Sequence, residues 1–460
     1  MQGPDPSKTP EGKVAPLIAP GMTYASAATH LASLVVQRPV TPGWLMLAGF
    51  TGLLVAILFG VVVGLFKVGI GIWGVNIPVA WGFAIANFVW WIGIGHAGTL
   101  ISAFLWLMRQ KWRTSINRFA EAMTIFAVVC AGLFPLLHLG RPWFFYFLVP
   151  YPNHMWLWPQ WRSALVWDIF AVSTYLTVSL LFWYLGMVPD LATLRDHAPR
   201  RWQQVAFGVL ALGWRGSVVH WHRYRMAYTL LAGLATPLVI SVHSVVSLDF
   251  TTTLVRGWHA TFFPPYFVAG ALFSGFAMVL TLTIPIRKVY NLEGLVTLRH
   301  IDLLAKMLLA TGLIVDYAYA MEVFMAWYSG DPYEWATTMD RLVGPYAYLW
   351  WLVVFCNVVT IQALWFRNVR THLGAVFVIS LLTNFGMWCE RVMIVIQSLQ
   401  HDFLPSRQAM YYPTLFDWLA LFGTLGLFTF LFLMFLRFLP MMSISEVQHL
   451  VRETREAEAV

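Results

Sequence analysis

The sequence predicts an all-α polytopic membrane protein of about ten transmembrane helices. Three observations predict it. Of 460 residues, 59% are hydrophobic and 11% charged, whereas a soluble domain carries about 25% charged residues. Mean hydropathy is +0.68. The apolar residues fall into ten runs, each long enough to cross a hydrocarbon core about 30 Å thick as a helix. The runs are apolar nearly throughout, which excludes the alternating strands of a membrane barrel.

The runs follow in order. Trp44–Phe66 holds no ionisable side chain. Val79–Met108 holds His96 between Gly93, Gly95 and Gly98, whose small surfaces let helices approach. Phe119–Leu139 ends at His138, Ser163–Met187 holds Asp168, and Met226–Asp249 holds His243 and closes on Asp249. Pro264–Arg287 is the sixth. Leu303–Tyr328 follows Asp302 and contains Lys306, Asp316 and Glu322. Pro345–Phe366 is uncharged. His372–Gln397 contains Glu390 and Arg391, which diverge by about 100° around the helix and are expected to pair with different neighbours. Thr414–Arg437 is the last.

Basic residues set the orientation. With the N-terminus inside, 21 of the 29 lysines and arginines fall in inner segments and 6 in outer loops, with Lys306 and Arg391 within helices. Both termini are therefore expected in the cytoplasm. The net charge of +8 thus reflects topology and implies no nucleic acid. The expected division is a cytoplasmic segment 1–43, a transmembrane domain 44–440 and a cytoplasmic tail 441–460. The segment 1–43 lacks a signal-peptide core. The basic stretch Val188–Arg225 is expected to include an interfacial helix around Arg201–Leu212. The outer loop Gly140–Arg162 is crowded with Trp143, Tyr146, Tyr151, Trp156, Trp158 and Trp161, which suit the headgroup region or an outer docking surface.

Cys130, Cys356 and Cys389 are solitary, so no C-x-x-C pattern offers a cluster, structural zinc or attached haem. No metal site is expected. GxGxxG and P-loop patterns are also missing.

Charge is expensive in hydrocarbon, roughly 2.5 to 3.5 kcal/mol at mid-bilayer on insertion scales, so ionisable residues there mark cavities, partners or pathways. Counting along helices puts Asp168 about 7.5 Å below the outer end, Asp249 at the outer end and His243 about 9 Å deeper. His138 leaves the membrane at the same level, and Trp258 and His259 follow in the next outer loop. A quinol that loses two electrons must also lose two protons. Buried carboxylates and imidazoles are suitable acceptors near neutral pH, and the rim of the bilayer admits an isoprenoid tail. The bland alternative is that these residues cap helices or pair with Arg141, Arg162 or Arg256.

The run Asn76-Ile77-Pro78-Val79-Ala80-Trp81-Gly82-Phe83, followed by Trp90-Trp91-Ile92-Gly93-Ile94-Gly95-His96-Ala97-Gly98-Thr99, resembles membrane subunits of the NrfD/PsrC type. Asn117-Arg118 through Gly132-Leu133-Phe134-Pro135-Leu136-Leu137-His138-Leu139-Gly140-Arg141-Pro142-Trp143 is similar to the large membrane subunits of bacterial alternative complex III, ActC ahead of its paralogue ActF. The resemblance covers about residues 44–440. It implies two four-helix bundles plus two flanking helices, in a multi-pass protein of the bacterial inner membrane. It implies a quinol site at the outer face, with His138, Asp168 and Asp249 catalytic. Arg141, His243, Trp258 and His259 complete the expected quinone-binding set. The expected substrate is menaquinol. An iron–sulfur subunit and multihaem cytochrome c subunits on the outer side would carry the redox groups, beside a homologous membrane subunit and membrane lipids.

Other polar residues are candidates for a proton path: His96, Asp302, Lys306 and Asp316. The last three share a helix face, with about 15 Å between Lys306 and Asp316. Competing readings are an interhelical hydrogen bond at His96, static ion pairing on the seventh run, and haem ligation by His96 with His138 or His243. A secondary transporter, or a structural anchor of the ActF kind, is the rival function. Transporters place their sites near the midplane, and this cluster is expected near the rim.

Overall fold

A computed structural model describes residues 16–19, 21–149, 161–258, 260–401 and 404–458. Tyr151, Trp156, Trp158 and His259 lie outside the described residues. In chain order the helices are α1 (Tyr24–Val36), α2 (Pro42–Val68), α3 (Phe83–Leu107), α4 (Asn117–His138), α5 (Ala164–His197), α6 (Arg201–Leu210) and α7 (Val218–Thr251). Then come α8 (Phe263–Val289), α9 (Leu298–Tyr328), α10 (Pro332–Val343), α11 (Ala347–Trp365), α12 (Leu373–Gln400), α13 (Leu415–Phe438) and α14 (Ile444–Glu458).

Among the described residues, nine helices are long and apolar enough to cross a membrane: α2, α3, α4, α5, α7, α8, α11, α12 and α13. The tenth expected span forms as α9, a helix of 31 residues. It is long enough, at about 46 Å. Asp302, Lys306, Asp316 and Glu322 make it the most charged helix of the membrane body, and it is not one of the nine.

The helices form two rings. In the first, α3 packs on α4, α4 on α5, α5 on α7, and α7 returns to the end of α3. In the second, α8 packs on α9, α9 on α11, α11 on α12, and α12 on α8. Contacts of α3 with α8 and α12, and of α7 with α8, join them. The pair α2 and α13 flanks this body, leaning on α4. The protein is thus an all-α membrane protein of two four-helix bundles with two flanking helices.

Burial follows the residue types. Every residue from Phe83 to Thr99 in α3 is buried. At Gly98 a β-carbon would strike the Ala120 carbonyl oxygen of α4, so glycine is what permits this approach. Helix α2 instead exposes Leu45, Met46, Phe50, Leu53 and Phe59, as expected for a helix bathed in lipid tails. Turns of π-helix interrupt α3 at Leu100–Phe104, α11 at Val354–Val359 and α12 at Met393–Gln397. Such turns redirect side chains where regular spacing would not serve.

Outside the membrane body, the helix expected around Arg201–Leu212 is α6. Helix α1 starts with a capping box at Thr23 and packs on α14, tying residues from both ends of the chain together.

Candidate functional site

Three elements converge at the end of the first bundle where α4 and α7 finish and α5 begins. Helix α4 ends at His138 for local reasons. The Trp73 indole N–H donates to the Leu137 carbonyl at 3.3 Å. Gly140 follows with φ of +68°, and a β-carbon there would also press on Ile70. The imidazole of His138 is left half-buried and meets Trp81 edge-on at 6.4 Å between centroids.

Trp81 holds this end together. Its ring lies 5.9 Å from Phe250 and 5.6 Å from Trp258. The strap that carries it is clamped: Asn76 Nδ2 donates to the Met410 carbonyl at 3.0 Å, and the Phe83 N–H donates to the Tyr411 hydroxyl at 3.2 Å. Asp417, in the first turn of α13, accepts from the Gly74 N–H at 2.9 Å. Trp258 is buried, with its indole N–H donated to the Ile394 carbonyl at 2.7 Å. It therefore offers a ring face and no free donor.

Asp168 stands in the second turn of α5 and Asp249 in the last turn of α7. Their carboxyl groups adjoin and interact as a pair, although Asp168 is 6% exposed and Asp249 7%. Oδ1 of each is buried and, among the described residues, has no hydrogen-bond partner other than the facing carboxyl. Neither carboxylate makes an ion pair among the described residues, so pairing with Arg141, Arg162 or Arg256 is not what holds them. Arg141 is exposed at the turn after His138, and Arg256 Nη2 donates to the His401 carbonyl at 3.1 Å. An unsatisfied buried acceptor costs about 1 to 3 kcal/mol. The pair is thus held ready for a donor.

Below it, His243 is fully buried with both ring nitrogens unpartnered among the described residues. Its ring lies 4.7 Å from that of His96. His96 Nδ1 lies 2.6 Å from the Ile92 carbonyl one turn back, so Nδ1 carries the proton and Nε2 is a bare, unpartnered acceptor. The interhelical bond expected of His96 is replaced by this bond within its own helix. Tyr175 stacks on His96 at 5.1 Å and donates to the Gly95 carbonyl at 3.0 Å. An iron between two imidazoles needs about 2 Å to each nitrogen, in addition to the ring radii. The two rings are too close for a haem between them. Among the described residues, no group of three or more His, Cys, Asp or Glu could hold a metal.

The remaining candidates lie elsewhere, and all but Asp316 form ion pairs. Asp302 receives Lys306 at 2.6 Å and Arg370 at 2.7 Å. Asp316 accepts from Gln362 at 3.2 Å and touches neither. Glu322 bonds to Arg341. Glu390 accepts from Tyr266 of α8 at 2.6 Å and from Tyr319 of α9, which fits the expected outward pairing. Arg391 departs from it: its flexible side chain folds back to Glu390 at 3.1 Å while lying 4.3 Å over Phe267.

Sequence reasoning missed three things. Trp81 and Tyr175 were not assigned to the site, although Tyr175 lies seven residues from Asp168 and so on the same face of α5. The third is a cluster at the opposite end of the first bundle. There Arg118 bonds to Glu121 at 2.8 Å and Asp190 at 3.1 Å, all three buried. The i,i+3 spacing of Arg118 and Glu121 was its signal.

Comparison with known proteins agrees with this architecture. The family profile described as polysulphide reductase, NrfD matches residues 72–401. A Halobacterium salinarum chain assigned as the membrane component of a dimethyl sulfoxide reductase is 26% identical over 354 residues, which are 74% of this chain and 77% of the relative. A component of the selenate reductase of Mesobacillus selenatarsenatis is 22% identical over 393 residues, 80% of this chain and 88% of the relative.

Proposed function

This chain belongs to the polysulphide reductase, NrfD family, and from that premise we propose that it is the quinol-oxidising membrane subunit of a multisubunit oxidoreductase. The observation that carries the reading is the adjoining pair Asp168 and Asp249, with a bare buried oxygen on each. A quinol headgroup offers a hydroxyl donor at each end of its ring, one of which supplies what this pair lacks while the other is left for His138. Two carboxylates this close in a low dielectric cannot both hold full charge, so they act as one proton-accepting unit. His138 supplies a further acceptor at the rim, and the ring faces of Trp81 and Trp258 form an apolar wall for the quinone ring.

The proposed step is balanced simply. Each hydroxyl of the quinol gives its proton to the carboxylate pair or to His138. The two electrons pass to redox groups of a partner subunit, and the quinone leaves into lipid. His243 and His96 lie deeper along the same bundle and are the proposed relay if protons move inward. Asp302 and Lys306 bond to each other and serve better as an ion pair, and Asp316 stands apart from them.

Both relatives are named as parts of reductases, which supports a partnered role for this chain. In the finer proposal it resembles ActC of alternative complex III. Menaquinol is then the substrate, and iron–sulfur and multihaem cytochrome c subunits sit on the outer face beside a homologous membrane subunit. The membrane is the bacterial inner membrane, with both termini cytoplasmic. The deciding experiment is extraction of quinone from the purified protein. About one quinone per chain is expected, lost when Asp168 and Asp249 are both changed to Leu. A folded protein with no bound quinone and no affinity for added quinol would overturn the reading.

A further inference from the structure

At the end of the first bundle opposite the carboxyl pair, a cavity of ≈ 1010 Å³ opens between the last turn of α3, the first turns of α7 and helix α14. Its acids are already engaged. Glu446 receives Arg113 at 2.6 Å, and Glu453 receives Lys111 at 2.9 Å. Arg109 and Arg225 also line it, are exposed, and make no ion pair among the described residues. Arg109 has φ of 52°, a left-handed backbone that a residue with a β-carbon adopts at some cost. Two hydroxyls complete the lining. Tyr224 is buried with its hydroxyl unpartnered among the described residues, whereas the Ser445 hydroxyl adjoins the Asp190 carboxylate. The site therefore combines two spare guanidinium groups with an unpartnered Tyr224 hydroxyl in its wall, which suits an anion with several acceptor oxygens.

We propose that this cavity binds the phosphate-bearing headgroup of an anionic phospholipid. Its place in the membrane argues for lipid over free phosphate. The cavity lies at the ends of two membrane-crossing helices, where headgroups lie, and Trp106, Trp221 and Tyr224 mark that level. Its volume far exceeds one phosphate ion and suits a headgroup with its glycerol backbone. Basic pockets between transmembrane helices at the positively charged side recognise such headgroups. The partly exposed Leu107 at its edge gives an acyl chain a route out to the bilayer.

The test uses the intact protein in nanodiscs of phosphatidylcholine doped with cardiolipin or phosphatidylglycerol, with bound lipid counted by native mass spectrometry. Wild type should retain anionic phospholipid through a detergent wash that strips phosphatidylcholine. Arg109→Gln with Arg225→Gln should weaken that binding by roughly 30-fold, the expected effect of two arginines at a membrane surface. Tyr224→Phe should weaken it severalfold with an unchanged melting temperature. Inorganic phosphate at about 0.01 M, too dilute to screen contacts at bonding distance, should not displace the lipid. Equal retention by the double variant, or equal retention of phosphatidylcholine, would overturn the proposal. So would complete displacement by inorganic phosphate, which would assign the site to a soluble anion.

Discussion

Asp168 and Asp249 share their apolar surroundings with Glu121, Asp190 and Glu390, yet the two groups are bonded in opposite ways. Glu121 accepts from Arg118 and, at 3.1 Å, from Tyr228; Asp190 accepts from Arg118 and, at 3.1 Å, from the Ser445 N–H. Glu390 accepts from Tyr266 and Tyr319 and forms an ion pair with Arg391. Each of these carboxylate oxygens has a donor. In the Asp168–Asp249 pair one oxygen on each side has none among the described residues beyond the facing carboxyl. Burial alone therefore does not separate a working carboxylate from a structural one. Unsatisfied valence narrows the choice, to this pair and to Asp316, whose Oδ1 is also buried without a partner among the described residues; what sets the pair apart is that two such groups adjoin at a bundle end.

The sharpest way to break this comparison is to substitute on both sides of it. Asp168→Asn or Asp249→Asn keeps the shape and removes an acceptor of protons. Quinol turnover of the assembled protein should fall by roughly 10²- to 10⁴-fold, the usual contribution of a positioned base, with melting temperature nearly unchanged. A parental rate in both variants would return the pair to a structural role. On the saturated side, Arg118→Met strands two buried carboxylates. It should cost about 3 to 5 kcal/mol of stability, read as a lower melting temperature and poor assembly. A stable Arg118→Met protein with a selective loss of turnover would reverse the assignment.

Smaller effects sharpen the picture. His138→Ala removes one hydrogen-bond partner of the quinol, so affinity measured by titration with a quinol analogue should weaken about tenfold. Unchanged affinity would confine the site to α5 and α7. Lys306→Met breaks an ion pair whose lysine is 51% exposed. It should shift stability by less than about 1 kcal/mol and leave turnover intact. A large loss of proton coupling in that variant would restore the path along α9.

Most of the architecture was legible because apolar length is a signal along one dimension. Ten runs became ten helices, and the charged run at Leu303–Tyr328 is the one whose composition differs from the other nine. The placement of His138, Asp168 and Asp249 at one end of the bundle was legible for a related reason, since helical rise converts residue counts into depth. What escaped depends on rotation about helix axes and on distant contacts. Trp81 reaches Phe250 and Trp258 only because Asn76, Tyr411 and Asp417 clamp its strap from far along the chain. The approach of His96 to His243 needs Gly93 of α3 against His243 of α7 and Ala271 of α8, which no local pattern specifies. Arg118 counted as one more inner positive charge, and nothing local indicated that α5 would bring Asp190 to it.

The central claim is that the carboxyl pair on α5 and α7 receives a quinol hydroxyl. Its most direct test is a structure of the assembled protein with a bound quinol or a tight quinol analogue. The account predicts a headgroup oxygen within hydrogen-bond reach of Asp168 or Asp249, at about 2.6 to 3.2 Å, with the ring against Trp81. A headgroup bound beside Glu390, or anywhere that leaves both Oδ1 atoms bare, would contradict it.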